Sequence, residues 1–171
     1  MDKRIFVVSD THQLLYGLET ALYKEAGNFE YVIHLGDLEG DDLAVRMMLD
    51  RIDPLIAFAA VRGNCDDDLS VPESRVISFN DTRLFLAHGH RHINKVPGDP
   101  FDALASAALG NDCQIALFGH THHPYYGTAF NGVVLINPGS ISLPRQLGRH
   151  PAYGILTIGE GGAFSWEQKY L

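Results

Sequence analysis

No apolar run in this chain approaches the ~20 residues that cross a bilayer, so the sequence offers no helical membrane span. Cysteine is scarce: Cys65 and Cys113 are the two present, and neither belongs to a CxxC pair. That excludes a disulfide scaffold and fits a reducing cytoplasm, the expected location. Positive charge is also short, with 13 Lys and Arg against 21 Asp and Glu and a net charge of −8. A chain that tracks a nucleic-acid backbone without regard to sequence needs the reverse balance, because Lys and Arg must neutralise phosphates. No Ser/Gly/Pro-rich linker, repeat or low-complexity tract divides the chain, and Met1-Asp2-Lys3-Arg4 leads straight into an apolar run with no signal-peptide core between them. At 171 residues, 46% of them hydrophobic, one domain over 1–171 is expected, and such a domain buries about 70% of its unfolded surface.

What is present is a series of short apolar runs that end on polar residues. They deliver Asp10 and His12 in VVSDTH, Asp37 in VIHLGD, Asn64 in VRGN, His88 in LFLAHGH, and His120 and His122 in LFGHTH. Apolar runs of this kind read as buried strands, and open α/β sheets bind ligands just beyond their strand ends. Taken singly, Asp10 suits a helix cap and Asn64, beside Gly63, suits a turn. Capping does not call for four histidines. Two carboxylates, an amide oxygen and four imidazoles are the donors that suit Mn, Fe, Zn, Co or Ni. Asp10-x-His12 and His120-x-His122 each place two side chains on one face of a strand or let them converge from a tight loop. Seven donors exceed one tetrahedral ion and suit two, provided a carboxylate bridges them. Asp37 is the natural bridge, since Gly36 lets the backbone come close.

The coarse pattern is strand Arg4–Ser9, helix Leu14–Ala26, strand Tyr31–Leu35, helix Asp41–Arg51 and strand Leu55–Val61, an alternation that predicts parallel βαβ units. Arg75–Phe79 and Arg83–Ala87 flank a turn at Asn80-Asp81-Thr82. Asp99-Pro100 predicts a helix N-cap and first position, with Gly110 closing that helix. A strand over Cys113–Phe118 precedes His120. Thr128–Phe130 and Val133–Ile136 flank Asn131-Gly132, a tight-hairpin signal. Ala152–Ile158 and Ala163–Gln168 flank Gly-Glu-Gly-Gly. A parallel start and an antiparallel end predict two packed mixed sheets with helices outside.

The blocks Asp10-Thr11-His12, Gly36-Asp37, Gly63-Asn64, His88-Gly89-His90 and Gly119-His120-Thr121-His122 resemble, in order and spacing, the calcineurin-like metallophosphoesterase superfamily. Gly63-Asn64-Cys65-Asp66 and Asn137-Pro138-Gly139-Ser140 resemble its small bacterial and archaeal phosphodiesterase branch. The resemblance runs from about Arg4 to the C-terminus. It implies a four-layer α/β/β/α sandwich of two mixed sheets flanked by helices. It implies two divalent ions, Mn²⁺ foremost, with Asp10, His12 and His122 on one, Asn64, His88 and His120 on the other and Asp37 between them. A metal-bridging hydroxide would then attack a small phosphate ester or nucleotide, with Asp37, Asn64 and His90 as catalytic residues. Self-association follows by the same analogy.

Two departures stand out. Cys65 occupies the position where many members carry a histidine that protonates the leaving group, and it reads as a small packed residue. Gln13 replaces the usual glycine. The alternatives to a phosphodiesterase are a phosphomonoesterase of the same superfamily, or a non-catalytic interaction scaffold similar to the metallophosphoesterase-like subunit of retromer. His34 reads as a hydrogen-bonded core imidazole, and His123 and His150 match no motif. Asp66 reads as an orienting group beside solvated Asp67 and Asp68. Arg62, Arg91, Arg145 and Arg149 read as surface residues available to substrate. The pocket rim is expected from the loops 65–72, 91–98 and 140–150.

Overall fold

The computed structural model describes residues 1–93 and 98–171, so part of the 91–98 rim loop lies outside the described residues. The first half alternates as the apolar pattern requires. It contains β1 (Lys3–Val8), α1 (Leu15–Lys24), β2 (Tyr31–His34), α2 (Asp42–Ile52) and β3 (Ala57–Ala60). Strands β1, β2 and β3 pair in parallel. The second half supplies β4 (Ser74–Phe79), β5 (Thr82–Ala87), α3 (Asp102–Gly110), β6 (Ile115–Leu117), β7 (Pro124–Thr128), β8 (Val134–Pro138), β9 (Ala152–Ile158) and β10 (Phe164–Tyr170). Two five-stranded sheets result, in the orders β10-β9-β1-β2-β3 and β4-β5-β6-β8-β7.

Strand alternation builds the layers. In β1, Phe6 and Val8 face α1 and α2, packing with Leu18, Leu22 and Leu49. Ile5 and Val7 face the other way, into the space between the sheets, where they meet Leu84, Leu86, Ile115 and Leu117. In β5 and β6 the alternate residues Phe85, Ala87 and Ala116 face α3 and pack on Leu104, Ala105 and Ala108. Successive side chains on a strand point to opposite faces, so three apolar interfaces separate four layers: helices, sheet, sheet, helix. Leu18 and Leu22, one turn apart on α1, are both fully buried. Each contributes about 1.5–3 kcal/mol, and Leu22→Ala would open a cavity costing roughly 2–5 kcal/mol.

Several expectations are corrected. The helix expected to begin at Asp99-Pro100 starts at Asp102, with Phe101 in the cap position. Asp99 instead turns its carboxylate onto the Phe101 N–H at 2.9 Å, a local alternative always open to Asp. Asn131-Gly132 is not a two-residue turn. Thr128 and Val134 are the last paired residues of β7 and β8, and the Ala129 N–H reaches the Val133 carbonyl at 2.8 Å across the loop. Asn131 spends its amide on the Ala105 carbonyl of α3, at 2.9 Å. The second sheet also has a parallel centre, β5-β6-β8, and the late hairpin β9-β10 joins the first sheet beside β1. Among the described residues no helix is long and apolar enough to cross a membrane.

Candidate metal centre

The parallel strands end together, and their last residues hand the chain to loops that turn sharply. Asp10 and His12 follow β1, Asp37 follows β2, Asn64 follows β3, His88 follows β5, and His120 and His122 follow β6. Five of these seven hold a positive φ: Asp10 at 57°, His12 at 46°, Asp37 at 58°, His120 at 66° and His122 at 59°. Non-glycine residues adopt that region at a cost of about 1–2 kcal/mol each, and such strain gathers at functional sites. Hydrogen bonds between loops offset it. The Asp10 N–H reaches the Gly36 carbonyl at 3.1 Å, and the His12 N–H reaches the Asp37 carbonyl at 3.0 Å. Gly63 is required by proximity, since a Cβ there would run into the Asp37 carboxylate and backbone.

The histidine tautomers follow from their partners. His88 Nδ1 lies 2.7 Å from the Leu35 carbonyl and His122 Nδ1 lies 2.6 Å from the Leu143 carbonyl. A carbonyl only accepts, so each Nδ1 carries the proton. His12 Nδ1 lies 2.6 Å from Glu39 Oε1 and donates likewise. Three Nε2 lone pairs are therefore turned inward. His122 Nε2 stands 3.2 Å from Asp10 Oδ1. His12 Nε2 is 3.4 Å from His122 Nε2 and 3.6 Å from Asp37 Oδ2. His88 Nε2 is 3.3 Å from Asp37 Oδ2, 3.9 Å from Asp10 Oδ1 and 3.2 Å from Asn64 Oδ1. All of these atoms accept. Asp10 Oδ1 is buried and has no hydrogen-bond partner.

A buried cluster of acceptors demands positive charge. In the bare protein protons answer that demand. Burial opposes ionisation of Asp10, yet the His122 imidazole 3.2 Å away and the His88 charge hold its carboxyl below the ordinary value. Asp37 is lowered too: burial works against it, and His88 outweighs burial. His88 is raised, because Asp37 and Asp10 overcome the cost of burying its charge. Divalent cations meet the same demand without protons. The three-donor groupings are Asp10, His12 and His122; Asp10, Asp37 and His88; and His12, Asp37 and Cys65.

Asp37 Oδ2 thus lies 3.6 Å from His12 Nε2 and 3.3 Å from His88 Nε2, and Asp10 Oδ1 lies 3.9 Å from each. His120 belongs to none of these groupings. Its ring centre is 5.1 Å from that of His88, and its backbone N–H reaches Asp10 Oδ2 at 3.2 Å. His90 lies behind His88 with ring centres 5.5 Å apart. Cys65 is exposed, not packed. Its backbone N–H holds Asp37 Oδ1 at 2.8 Å, which brings the thiol to the rim of the centre.

Supporting residues fix this arrangement. Asp66 accepts from three backbone N–H groups, those of Asp37 at 2.9 Å, Glu39 at 2.6 Å and Gly63 at 2.7 Å, and so ties two loops together. Asp67 and Asp68 are exposed. His34 is fully buried and pushed down to about 4 by burial. Its Nδ1 accepts from the Gly36 N–H, and its Nε2 donates to the Thr11 hydroxyl. That hydroxyl in turn donates to the Asp37 carbonyl at 3.3 Å. Ser140 Oγ donates to the Asp10 carbonyl and accepts from the Ser142 and Leu143 N–H groups. Arg62 and Arg91 share one carboxylate oxygen of Glu73, at 2.6 and 2.7 Å. Glu39 went unnoticed in the sequence, and the available signal was its spacing of two from Asp37. It lines a cavity of about 380 Å³ beside the centre, together with Gln13, Leu38, Cys65, Asp66 and Val71.

The family model for the calcineurin-like phosphoesterase superfamily domain matches residues 4–161. A probable metallophosphoesterase of Bacillus subtilis, YsnB, is 30% identical over 155 residues, which is 90% of this chain and 83% of that protein. A Streptococcus pneumoniae crystal structure, described as a predicted phosphoesterase, superposes with a TM-score of 0.74 at 25% identity and covers 99% of both chains. Vps29 of Entamoeba histolytica, solved with Zn²⁺, superposes with a TM-score of 0.72 at 20% identity and covers 98% of both chains, a likeness of fold alone.

Proposed function

The chain belongs to the calcineurin-like phosphoesterase superfamily, and from that premise we propose that it is a phosphodiesterase using two divalent ions on a small phosphate ester or nucleotide. The observation that carries this reading is the convergence of three Nε2 atoms, each backed by an outward hydrogen bond at Nδ1, on the buried carboxylates of Asp10 and Asp37. Asp10, His12 and His122 would hold one ion, and Asn64, His88 and His120 the other. Asp37 Oδ2, 3.6 Å from His12 and 3.3 Å from His88, would serve both. When bound, such ions supply an activated water at neutral pH and positive charge for the phosphoryl oxygens.

The chain's own residues do the rest. The Leu35, Leu143 and Glu39 oxygens keep the three Nδ1 protons outward, so each Nε2 stays a donor to metal. Asp66 holds the Asp37 backbone N–H, and the Cys65 N–H holds the Asp37 carboxylate in one pose. His90, which lines a cleft with Glu73, Ser74, Arg91 and His92, would move a proton at the leaving oxygen. Mn²⁺ suits this mixed O/N donor set, and Fe, Zn, Co and Ni suit it too.

The test is turnover of an aryl phosphodiester, an aryl phosphomonoester and a cyclic nucleotide, each with Mn²⁺ and after thorough chelation. Mn²⁺-dependent hydrolysis that prefers the diester is the expected result. Preference for the monoester would favour a phosphomonoesterase. Undiminished turnover in stripped protein would overturn metal dependence. Absence of both turnover and metal binding would leave the interaction-scaffold reading.

A further inference from the structure

We infer that Glu39 is a positioning residue that makes the Asp10–His12–His122 side of the centre the tighter of two metal positions, so that this side fills first. The inference rests on the two-ion reading above and deepens it.

The three inward histidines differ in what holds them. His88 and His122 lean on the neutral carbonyls of Leu35 and Leu143. His12 leans on a carboxylate, at 2.6 Å. A charged partner on Nδ1 polarises the ring, strengthens Nε2 as a metal donor and fixes its aim. The contact is built, not incidental. Glu39 sits at a φ of 55°, a conformation a non-glycine residue rarely adopts. Its backbone N–H is pinned to Asp66 Oδ1 at 2.6 Å. Its side chain is 25% exposed, so water screens the pair only in part.

Among the described residues the other side has no counterpart. Asn64 brings a neutral amide and is exposed, and its Nδ2 turns to the Cys65 sulfur. The Asp10 side therefore carries an additional negative charge beside the metal position; Asp10 and His122 are buried there, whereas on the other side His88 is buried and Asn64 is exposed. Charge and burial act in the same direction.

A simple ion pair between His12 and Glu39 in the bare protein would leave the order of metal filling unaffected by Glu39. Calorimetric titration of Mn²⁺ into chelator-stripped protein separates the two ideas, with Co²⁺ absorption as a second probe of each position. The wild-type chain should bind in two resolved steps. Glu39→Gln keeps the acceptor oxygen and removes only its charge, and it should weaken the tighter step about 10–100-fold, with the weaker step moving far less. Glu39→Asp should recover part of the loss. Thermal melting of the stripped proteins checks that the fold is kept.

Equal losses in both steps would show that Glu39 merely supports the loop and would overturn the inference. A wild-type titration with a single step, or an unchanged tight step in Glu39→Gln, would also overturn it. Failure of the wild-type protein to bind Mn²⁺ at all would instead remove the two-ion reading beneath it.

Discussion

The two sides of the centre are built differently. The Asp10 side is closed: Asp10 is fully buried, His122 is 3% exposed, and both are backed by the Ser140–Leu143 segment. The Asn64 side is open, with Asn64 and Cys65 exposed on a loop fixed chiefly by Asp66. On the proposed reading, a side with every outward nitrogen engaged would be preorganised to hold an ion, which is what precise function requires of a site. An open side can exchange ions and admit a phosphate ester. On this view the asymmetry separates retention from access, and each side can be probed by itself.

The largest effect is expected where the sides meet. Asp37→Asn should lower kcat/KM for an aryl phosphodiester by more than ~100-fold, since even the outer partner of a metal ligand is typically worth 10–100-fold. His90→Ala, which removes none of the seven proposed ligands, should cost less. Equal losses with folding intact would mean that the two sides are not coupled through Asp37.

Next comes the tie between the two loops that Asp66 joins. Asp66→Ala abandons three backbone N–H groups at once. Hydrogen bonds to charged groups contribute roughly 1.5–3 kcal/mol each when well shielded. For this half-buried carboxylate a total near ~2 kcal/mol is the expected loss in a urea unfolding curve. Ser140→Ala probes the closed side. It removes one donor and two acceptor contacts at a fully buried hydroxyl, and should cost about 1.5 kcal/mol in the same assay. A silent Ser140→Ala beside a large Asp66→Ala would refute the claim that hydrogen bonding preorganises the closed side.

How much of this was legible differs between the sides as well. The strand ends were readable because apolar runs such as IFVV and LFLA stop at polar residues, and alternation assigns their faces without any tertiary knowledge. The layers followed: Phe6 and Val8 to the helices, Ile5 and Val7 to the opposite sheet. What periodicity does not record is partnership across long separations. That β9 lies against β1, Ile5 opposite Leu156, leaves no local trace, nor does the parallel centre of the second sheet. Asp99 misled because an Asp at a turn and an Asp at a cap look alike in sequence. The open side was misread at Cys65, since a lone cysteine is usually buried, and here the Cys65 N–H is drawn to Asp37 while its side chain stays at the rim. Glu39 was missed because its role depends on a left-handed backbone that no composition rule announces for glutamate.

The smallest effect should come from Cys65, and it bears most directly on whether the open side receives the leaving group. Cys65 lies within one donor cluster with His12 and Asp37, at the position where the resemblance implies that many superfamily members carry a proton-donating histidine. Cys65→His restores that group. A nitrophenolate departs with little need of a proton, whereas an alkoxide needs one in the transition state. Restoration should therefore help an alkyl diester more than a nitrophenyl one. General acid catalysis is worth about 10²–10⁴-fold when fully developed, but a grafted imidazole lacks the supporting hydrogen bonds that would fix its pose. A selective gain of a few-fold is the expected size, less than ~1.4 kcal/mol of transition-state stabilisation. The measurement is kcat/KM for one alkyl and one aryl diester, in both proteins, at matched metal occupancy. Matching matters because a new imidazole beside His12 and Asp37 could also bind metal, and that would speed or slow both substrates together. If the two substrates respond alike, position 65 does not face the leaving group, and the open side must be assigned to ion exchange alone.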